Sequence, residues 1–391
     1  VRLRWLVLYG ALALLPTTGV LGAPAVHSEQ PQRWSADRAK EWYARQPWLV
    51  GSNYIPANAI NQLEMWQPAT FDPARIEREL SWAEAIGMNT ARVFLHNLLW
   101  EEDAPGFLGR IDVFLQIAAR HHIKPIFVLF DSVWDPNPVP GPQHPPIPGV
   151  HNSGWVQSPG RERLRDVSRY PQLRSYVEEV VGAFSNDGRV LAWDVWNEPD
   201  NDDNVMSGSE HLDPREKQAL VAKLLPQVFD WARAHNPKQP LTSGLWHDAD
   251  WSTSADLNEI ESAQLAQSDI LSFHNYEWPE QLEARIHQLR RYGRPIVCTE
   301  YLARGYGSTF EGSLPVGKRY RIAMINWGLV DGKTQTRLPW DSWQRPYTLQ
   351  EPPVWHHDIF HADGTPYRRA ETDLIRALTA APEEAVSPHP R

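Results

Sequence analysis

Residues 190–200 read VLAWDVWNEPD, and this stretch decides the fold. A short apolar run, rich in β-branched and aromatic residues, has the composition of a strand. It runs directly into an amide and a carboxyl group, Asn197 and Glu198. Working outward, the same unit recurs from Trp48 onward: an apolar run, a polar loop, then an amphipathic stretch of helical period. The strand-like runs lie at 49–55, 89–95, 125–130, 190–196, 241–246, 270–274, 296–301 and 323–329. Helical stretches fall between them, among them 73–86, 110–121, 173–184, 214–234 and 279–292, with a last one at 368–379. Asp72-Pro73 and Asp213-Pro214 are helix starts, an acidic cap followed by proline at the first helical position. Eight parallel strands alternating with helices close most simply into a (β/α)₈ TIM barrel. A doubly wound sheet is the structural alternative, but no G-x-G-x-x-G follows the first strand.

The chain is 391 residues long, which suits one large barrel over 40–380 as well as two ordinary domains of roughly 150 residues each. Hydrophobic residues are 42% and charged residues 22%, with 23 glycines and 34 prolines, so the chain is globular rather than of low complexity. A net charge of −10 argues against nucleic acid, which calls for a basic face. The single cysteine, Cys298, excludes an internal disulfide and a Cys-rich zinc site. Nineteen tryptophans exceed what a core needs and suit stacking against a ligand with an apolar face, such as a sugar.

Residues 1–25 have the pattern of an export signal: Arg2 and Arg4, an apolar run from Trp5 to Leu15, then Ala23-Pro24-Ala25 for cleavage. Pro16 ends that run too early for a membrane span. The expectation is a bacterial periplasmic or secreted protein with no membrane insertion after cleavage. The tail, 381–391, is expected to fray. The connection between the third and fourth strands, 131–172, contains DPNPVPGP at 135–142 along with Trp134, His151, Asn152 and Trp155. Loops of that length in compact domains are usually functional, so it is expected to form a wall of the cleft.

In barrels the active site sits at the C-terminal ends of the strands. Strand 4 ends in Asn197-Glu198-Pro199 and strand 7 in Thr299-Glu300-Tyr301. Strand 6 ends in His274-Asn275-Tyr276, strand 2 contains Arg92 and ends near His96, and strand 8 ends in Asn326-Trp327. Paired carboxyls among hydrogen-bonding groups are what glycosidic cleavage requires, one protonated to release the leaving oxygen and one ionised to attack the anomeric carbon. The order of these rim residues resembles clan A of the glycoside hydrolases, most closely family 5, the cellulase-type family, from about residue 48 to 379.

The resemblance implies that Glu198 is the acid/base and Glu300 the nucleophile of a retaining glycoside hydrolase without a cofactor. Arg92, Asn197, His274, Tyr276 and Trp327 fall on its supporting positions. Arg92 and Tyr276 are expected to hold Glu300 at a low pKa, Asn197 to meet the sugar 2-hydroxyl, and Trp327 to underlie the reacting ring. Trp134, Trp155 and Trp246 are candidates for neighbouring subsites. Many members carry a histidine at the end of strand 3, where this chain has Phe130-Asp131-Ser132; His96 is the candidate to fill that space. The substrate expected is a β-linked glucan, mannan, xylan or smaller glycoside. A transglycosylase on the same site and a carbohydrate-binding barrel without catalysis are the alternatives. His356, His357 and His361 lack the spacing of a metal motif, so no metal site is expected.

Overall fold

The computed structural model describes residues 32–202, 210–252 and 257–382; the expected export signal and residues 383–391 of the expected tail lie outside them. Eight parallel strands are present: β1 (Val50–Asn53), β2 (Thr90–Phe94), β3 (Lys124–Val128), β4 (Ala192–Asp194), β5 (Leu241–Thr242), β6 (Leu271–His274), β7 (Ile296–Glu300) and β8 (Ala323–Asn326). Their order is β5-β4-β3-β2-β1-β8-β7-β6. The ring closes between β5 and β6 through Leu245, whose N–H donates to Ser272 (3.0 Å) and whose carbonyl accepts from His274 (2.9 Å). The architecture is the expected (β/α)₈ barrel.

Several strands are shorter than their apolar runs. Val195, Trp196, Leu245 and Leu329 lie beyond the last residue of their strands yet are buried, because loops cover the rim there. Hydrophobicity therefore continues past the point where strand pairing stops. The helices Pro73–Ala85 and Pro214–Arg233 start where Asp72 and Asp213 cap them, each side chain accepting backbone N–H bonds of the first turn. The stretch read as 110–121 belongs to a longer helical segment, Asn97–Arg120, that breaks at Asp103 (φ −156°, ψ 75°). Asp103 caps the second part by accepting from the Gly106 N–H (3.0 Å), which places Pro105 in a first turn, where proline is tolerated.

Apolar packing occurs in two layers. Between strands and helices lies the larger one, with Phe114, Phe127, Trp193 and Phe229 all fully buried. Inside the barrel, Leu49, Ile126, Leu191, Ile270, Val297 and Ile325 fill the N-terminal half. That end is plugged by Trp34 and by Ala39 and Tyr43 of the helix Ala36–Ala44, with the Tyr43 hydroxyl donating to the Arg321 carbonyl (3.1 Å). The C-terminal half buries the polar Asn53, Arg92 and Asp194 alongside a smaller apolar cluster of Phe94, Val128 and Trp155. No helix among the described residues is long and apolar enough to cross a membrane.

After β8 the chain makes a second long excursion before the final helix, Arg369–Ala380. Arg304 anchors both. Its guanidinium meets Glu371 twice (2.8 and 2.6 Å) and donates to the carbonyls of Trp355, His357 and Asp358. Both side chains are 1% exposed, so removing one partner leaves an uncompensated buried charge. Glu371→Ala is expected to lower the free energy of unfolding in urea by about 3–5 kcal/mol. A loss below about 1 kcal/mol would show that the last helix docks without the pair.

Candidate active site

The cleft at the C-terminal ends of the strands has a volume of about 370 Å³. Asn197, Glu198, Tyr276, Glu300, Trp327, Trp134, Trp155 and Trp246 all line it. Arg92 and His274 lie beneath, bonded to its carboxylates. His96 is not brought to the cleft. It is fully buried, its Nδ1 accepts from the Leu98 N–H (3.2 Å) as a helix cap, and its Nε2 meets the Gln157 carbonyl (3.0 Å). Burial pushes its imidazole down to about 3, so it is a neutral structural cap and fills no subsite.

Glu300 stands at the last position of β7, where a register shift against β6 occurs. Its Oε1 accepts from Arg92 Nη1 (2.7 Å) and its Oε2 from the Tyr276 hydroxyl (2.7 Å). Arg92 in turn bonds Asp194 through Nε and Nη2 (3.0 and 2.8 Å), Asn53 Oδ1 (2.9 Å) and Asn197 Oδ1 (2.6 Å). Burial pushes the Glu300 carboxyl above its ordinary range. Arg92 and the Tyr276 bond pull it back, whereas the charge of Glu198 raises it further. The low value expected from the two donors alone is thus corrected: desolvation outweighs them.

Glu198 has a positive φ of 40°, a conformation that costs a non-glycine residue about 1–3 kcal/mol and is usually kept where the side chain must point a particular way. Its Oε1 lies 2.7 Å from His274 Nδ1, and its Oε2 accepts from Asn201 Nδ2 (2.7 Å). His274 is buried, which pushes its imidazole down to about 4, so it is uncharged at neutral pH. Its Nε2 faces Glu300 Oε1 at 3.6 Å. One carboxylate oxygen each of Glu198 and Glu300 and a ring nitrogen of His274 lie within 4.8 Å of one another.

At the end of β3, Asp131 occupies the region where the family pattern has histidine. It accepts from Asn197 Nδ2 (2.9 Å), Trp155 Nε1 (2.6 Å), Gln62 Nε2 (3.2 Å) and the Val133 N–H (3.2 Å). Asn197 is thereby held at both ends, its oxygen on Arg92 and its nitrogen on Asp131, which fixes the amide orientation. Trp327 meets Phe94 and Trp155 edge-on, each at 5.7 Å. Trp246 donates to Asp200 (2.9 Å), and Trp134 stacks on Trp343 at 5.3 Å and 20°.

Trp340 and Trp343 also line the cleft and are absent from the sequence reading; His357 lines it too, and that reading weighed it only as part of a metal motif. They come from the excursion after β8, outside any β/α unit. Its length, comparable to that of the connection after β3, is the signal that marks it. Asn201 escaped notice because it lies just past the N-E-P motif.

No protein-family model matches the chain, and no curated protein does. Solved structures do match. A variant of GH5_18 from Streptomyces cattleya in complex with Manβ1-4GlcNAc is 13% identical, over 87% of this chain and 83% of that one, with a TM-score of 0.59. The endo-β-1,4-mannanase from Thermotoga petrophila is 14% identical over 86% and 77%, at 0.53. The exo-β-1,4-mannosidase Op5Man5 from Opitutaceae bacterium strain TAV5 is 17% identical over 85% of this chain and 59% of its own, at 0.58. The chain has the barrel fold of these proteins. At such identities the likeness is one of fold.

Burial pushes Asp131 up to about 7. That folded value lies above the ordinary 3.8 of an exposed aspartate, so the folded state holds the proton more tightly. The stabilising contribution is therefore full below about pH 4 and is lost as the pH rises to about 7. Asp131→Asn should unfold in urea with a shallower pH dependence across that window than the parent protein, whatever its stability at any one pH. An unchanged slope would mean that Asp131 titrates normally.

Proposed function

We propose that the protein is a retaining β-glycoside hydrolase, with Glu300 as nucleophile and Glu198 as acid/base. The observation that carries this reading is that one oxygen of Glu198 lies within 4.8 Å of one oxygen of Glu300 at the floor of an aromatic cleft, a close approach of the kind that retention requires. Retaining enzymes hold their carboxyls about 5–5.5 Å apart, whereas inverting ones need roughly 6.5–9.5 Å to admit a water between. Both groups are acidic side chains at strand ends; their surroundings separate the roles. Glu300 is gripped by a guanidinium and a phenol, which stabilise an anion. Glu198 is paired with a neutral imidazole, whose Nδ1 donates to an ionised carboxylate or, in the other tautomer, accepts from a protonated one.

In the first step Glu300 forms a bond to the anomeric carbon as the glycosidic C–O bond breaks, and Glu198 delivers its proton to the departing oxygen. In the second, Glu198 takes a proton from water, whose oxygen replaces Glu300 at the same carbon with net retention. Asn197 has one amide hydrogen committed to Asp131, and the other is the donor proposed for the sugar 2-hydroxyl. Trp327 is the proposed platform under the reacting ring, where its face excludes water and adds dispersion. The shared fold with mannosidase and mannanase structures favours a β-linked hexoside as substrate.

Glu300→Ala removes the covalent route, and its activity is expected to fall by orders of magnitude even on an aryl glycoside with an excellent leaving group. Glu198→Ala should still form the glycosyl-enzyme from that substrate but turn it over slowly. Azide should rescue Glu198→Ala with a glycosyl azide of retained configuration, and any rescue of Glu300→Ala should give the inverted one. NMR of the products decides: exchanged outcomes mean exchanged roles, and full activity of both variants would remove these residues from the mechanism. Tyr276→Phe takes away a donor that holds the Glu300 pKa down, so the acid limb of kcat/KM should move to higher pH. No movement of that limb would detach Tyr276 from the ionisation of Glu300.

A further inference from the structure

The loops around the cleft are tied to one another. The connection after β3 and the excursion after β8 meet across the ends of β1 and β2, which lie between those strands in the barrel. The Asn152 N–H donates to the Thr334 carbonyl (2.7 Å), the His151 N–H to Ser342 Oγ (2.9 Å), the Tyr347 N–H to the Gly149 carbonyl (2.9 Å), and Gln335 Nε2 to the Val150 carbonyl (3.0 Å). Gly149 has φ +76°, and a Cβ there would lie 2.6 Å from the backbone of Tyr347, so the two segments approach as closely as a glycine allows. Above these bonds Trp134 and Trp343 stack face to face, one from each segment. From below, the loop after β1 joins them: Asn61 Nδ2 donates to the Gly154 carbonyl (2.8 Å) and the Lys333 N–H to the Ala57 carbonyl (2.9 Å).

The same wall continues the other way round. Trp340, from the excursion, meets Tyr276 after β6 edge-on (5.2 Å) and Tyr306 after β7 (5.1 Å). Among the described residues this wall of aromatic and backbone contacts thus runs from β6 past β8 to β3, on the side of Trp327.

The chemistry gives this wall a direction. In the reaction proposed above, the leaving oxygen departs on the side of the acid, Glu198, after β4. The ring that receives the attack lies on the other side, over Trp327 after β8. Everything attached to that ring through its remaining hydroxyls extends toward the non-reducing end of the substrate, and there it meets the wall. The cleft, about 370 Å³, is near the lower end of the ~300–1,000 Å³ range of small-ligand sites.

We infer that the cleft is blind on its glycone side, so that the protein removes single sugars from the non-reducing ends of β-linked oligosaccharides. This rests on the glycosidase reading and adds the mode of action to it. Trp134 and Trp343 are the residues that set that mode, because their stack completes the wall at the point where a further sugar would have to pass.

The test uses the full chain. Aryl β-glycosides of common hexoses and pentoses identify the sugar accepted; β-linked pentasaccharides of that sugar, one for each linkage and reduced at the far end, are then digested and their first products sized. For the accepted linkage the products expected are a monosaccharide and the reduced tetrasaccharide. The same pentasaccharide capped at its non-reducing end by a 4,6-O-benzylidene group should be cleaved at least about a hundredfold more slowly, because the cap must enter a closed site. Turnover of an aryl glycoside together with internal cleavage, with unimpaired cleavage of the capped substrate, or with no release of single sugars from any linkage, would overturn the blind site and leave the glycosidase reading standing. Failure to cleave any aryl glycoside or oligosaccharide would instead bring down the glycosidase reading, and the blind site with it.

Discussion

A guanidinium buried at the centre of the barrel is the constraint from which the site is built. Arg92 is fully buried, and a charge in that position is tolerable only if it is paired and its donors are met. Its fork reaches Asn53 on β1, Asp194 on β4, Asn197 just beyond β4, and Glu300 on β7. One rigid, planar group thereby sets the relative positions of strands on opposite sides of the ring. Lysine could not substitute, since a single ammonium cannot present donors in a fixed plane to so many partners. Polar residues at the C-terminal half of the barrel are thus structural and chemical at once: they satisfy Arg92, and in doing so orient a carboxylate and an amide into the cleft.

Around that centre the ionisable groups are tuned by burial and hardly at all by solvent. Whereas His247, beside Trp246, is raised against the effect of burial by its bond to Asp200, histidines 96, 151, 274 and 356 are all driven well below their ordinary range by desolvation. Carboxyls respond in the opposite direction, as Asp131 and Asp358, both pushed up to about 7, illustrate. Glu300 follows the same direction, and Arg92, the charge placed against that carboxylate, offsets its desolvation only in part. In a dry setting a bond of 2.7 Å from a guanidinium counts for more than it would at the surface.

The barrel was legible because its two periods are local: apolar runs of strand length, and helices announced by Asp-Pro caps. Its rim was legible for the same reason, since polar residues that end an apolar strand, such as Asn197-Glu198 and Thr299-Glu300, occur in adjacent positions. What stayed hidden depends on contacts distant in sequence. Asp131 looks like an ordinary loop aspartate until Trp155 and Asn197 converge on it. His96 looks like a rim residue until its ring is seen to cap a helix. Trp340 and Trp343 belong to a segment with no periodicity, brought to the cleft by contacts distant in sequence, such as the hydrogen bonds to residues 149–152 and the packing of Trp340 on Tyr276.

This division also explains how a fold is shared at 13% identity. A barrel asks of most positions only that they be apolar and of suitable volume, a requirement that many sequences meet. The cleft asks for a few groups at strand ends, where the backbone is stiff enough to hold the side chains of Glu198 and Glu300 close together. Substrate selection falls to the connections, which can lengthen without disturbing either. Here the two longest connections bond to each other as well as to the strand ends beneath them, so the wall is a layer laid over the geometry of the strands. A change in that layer can alter what reaches Glu198 and Glu300 while the network centred on Arg92 stays as it is.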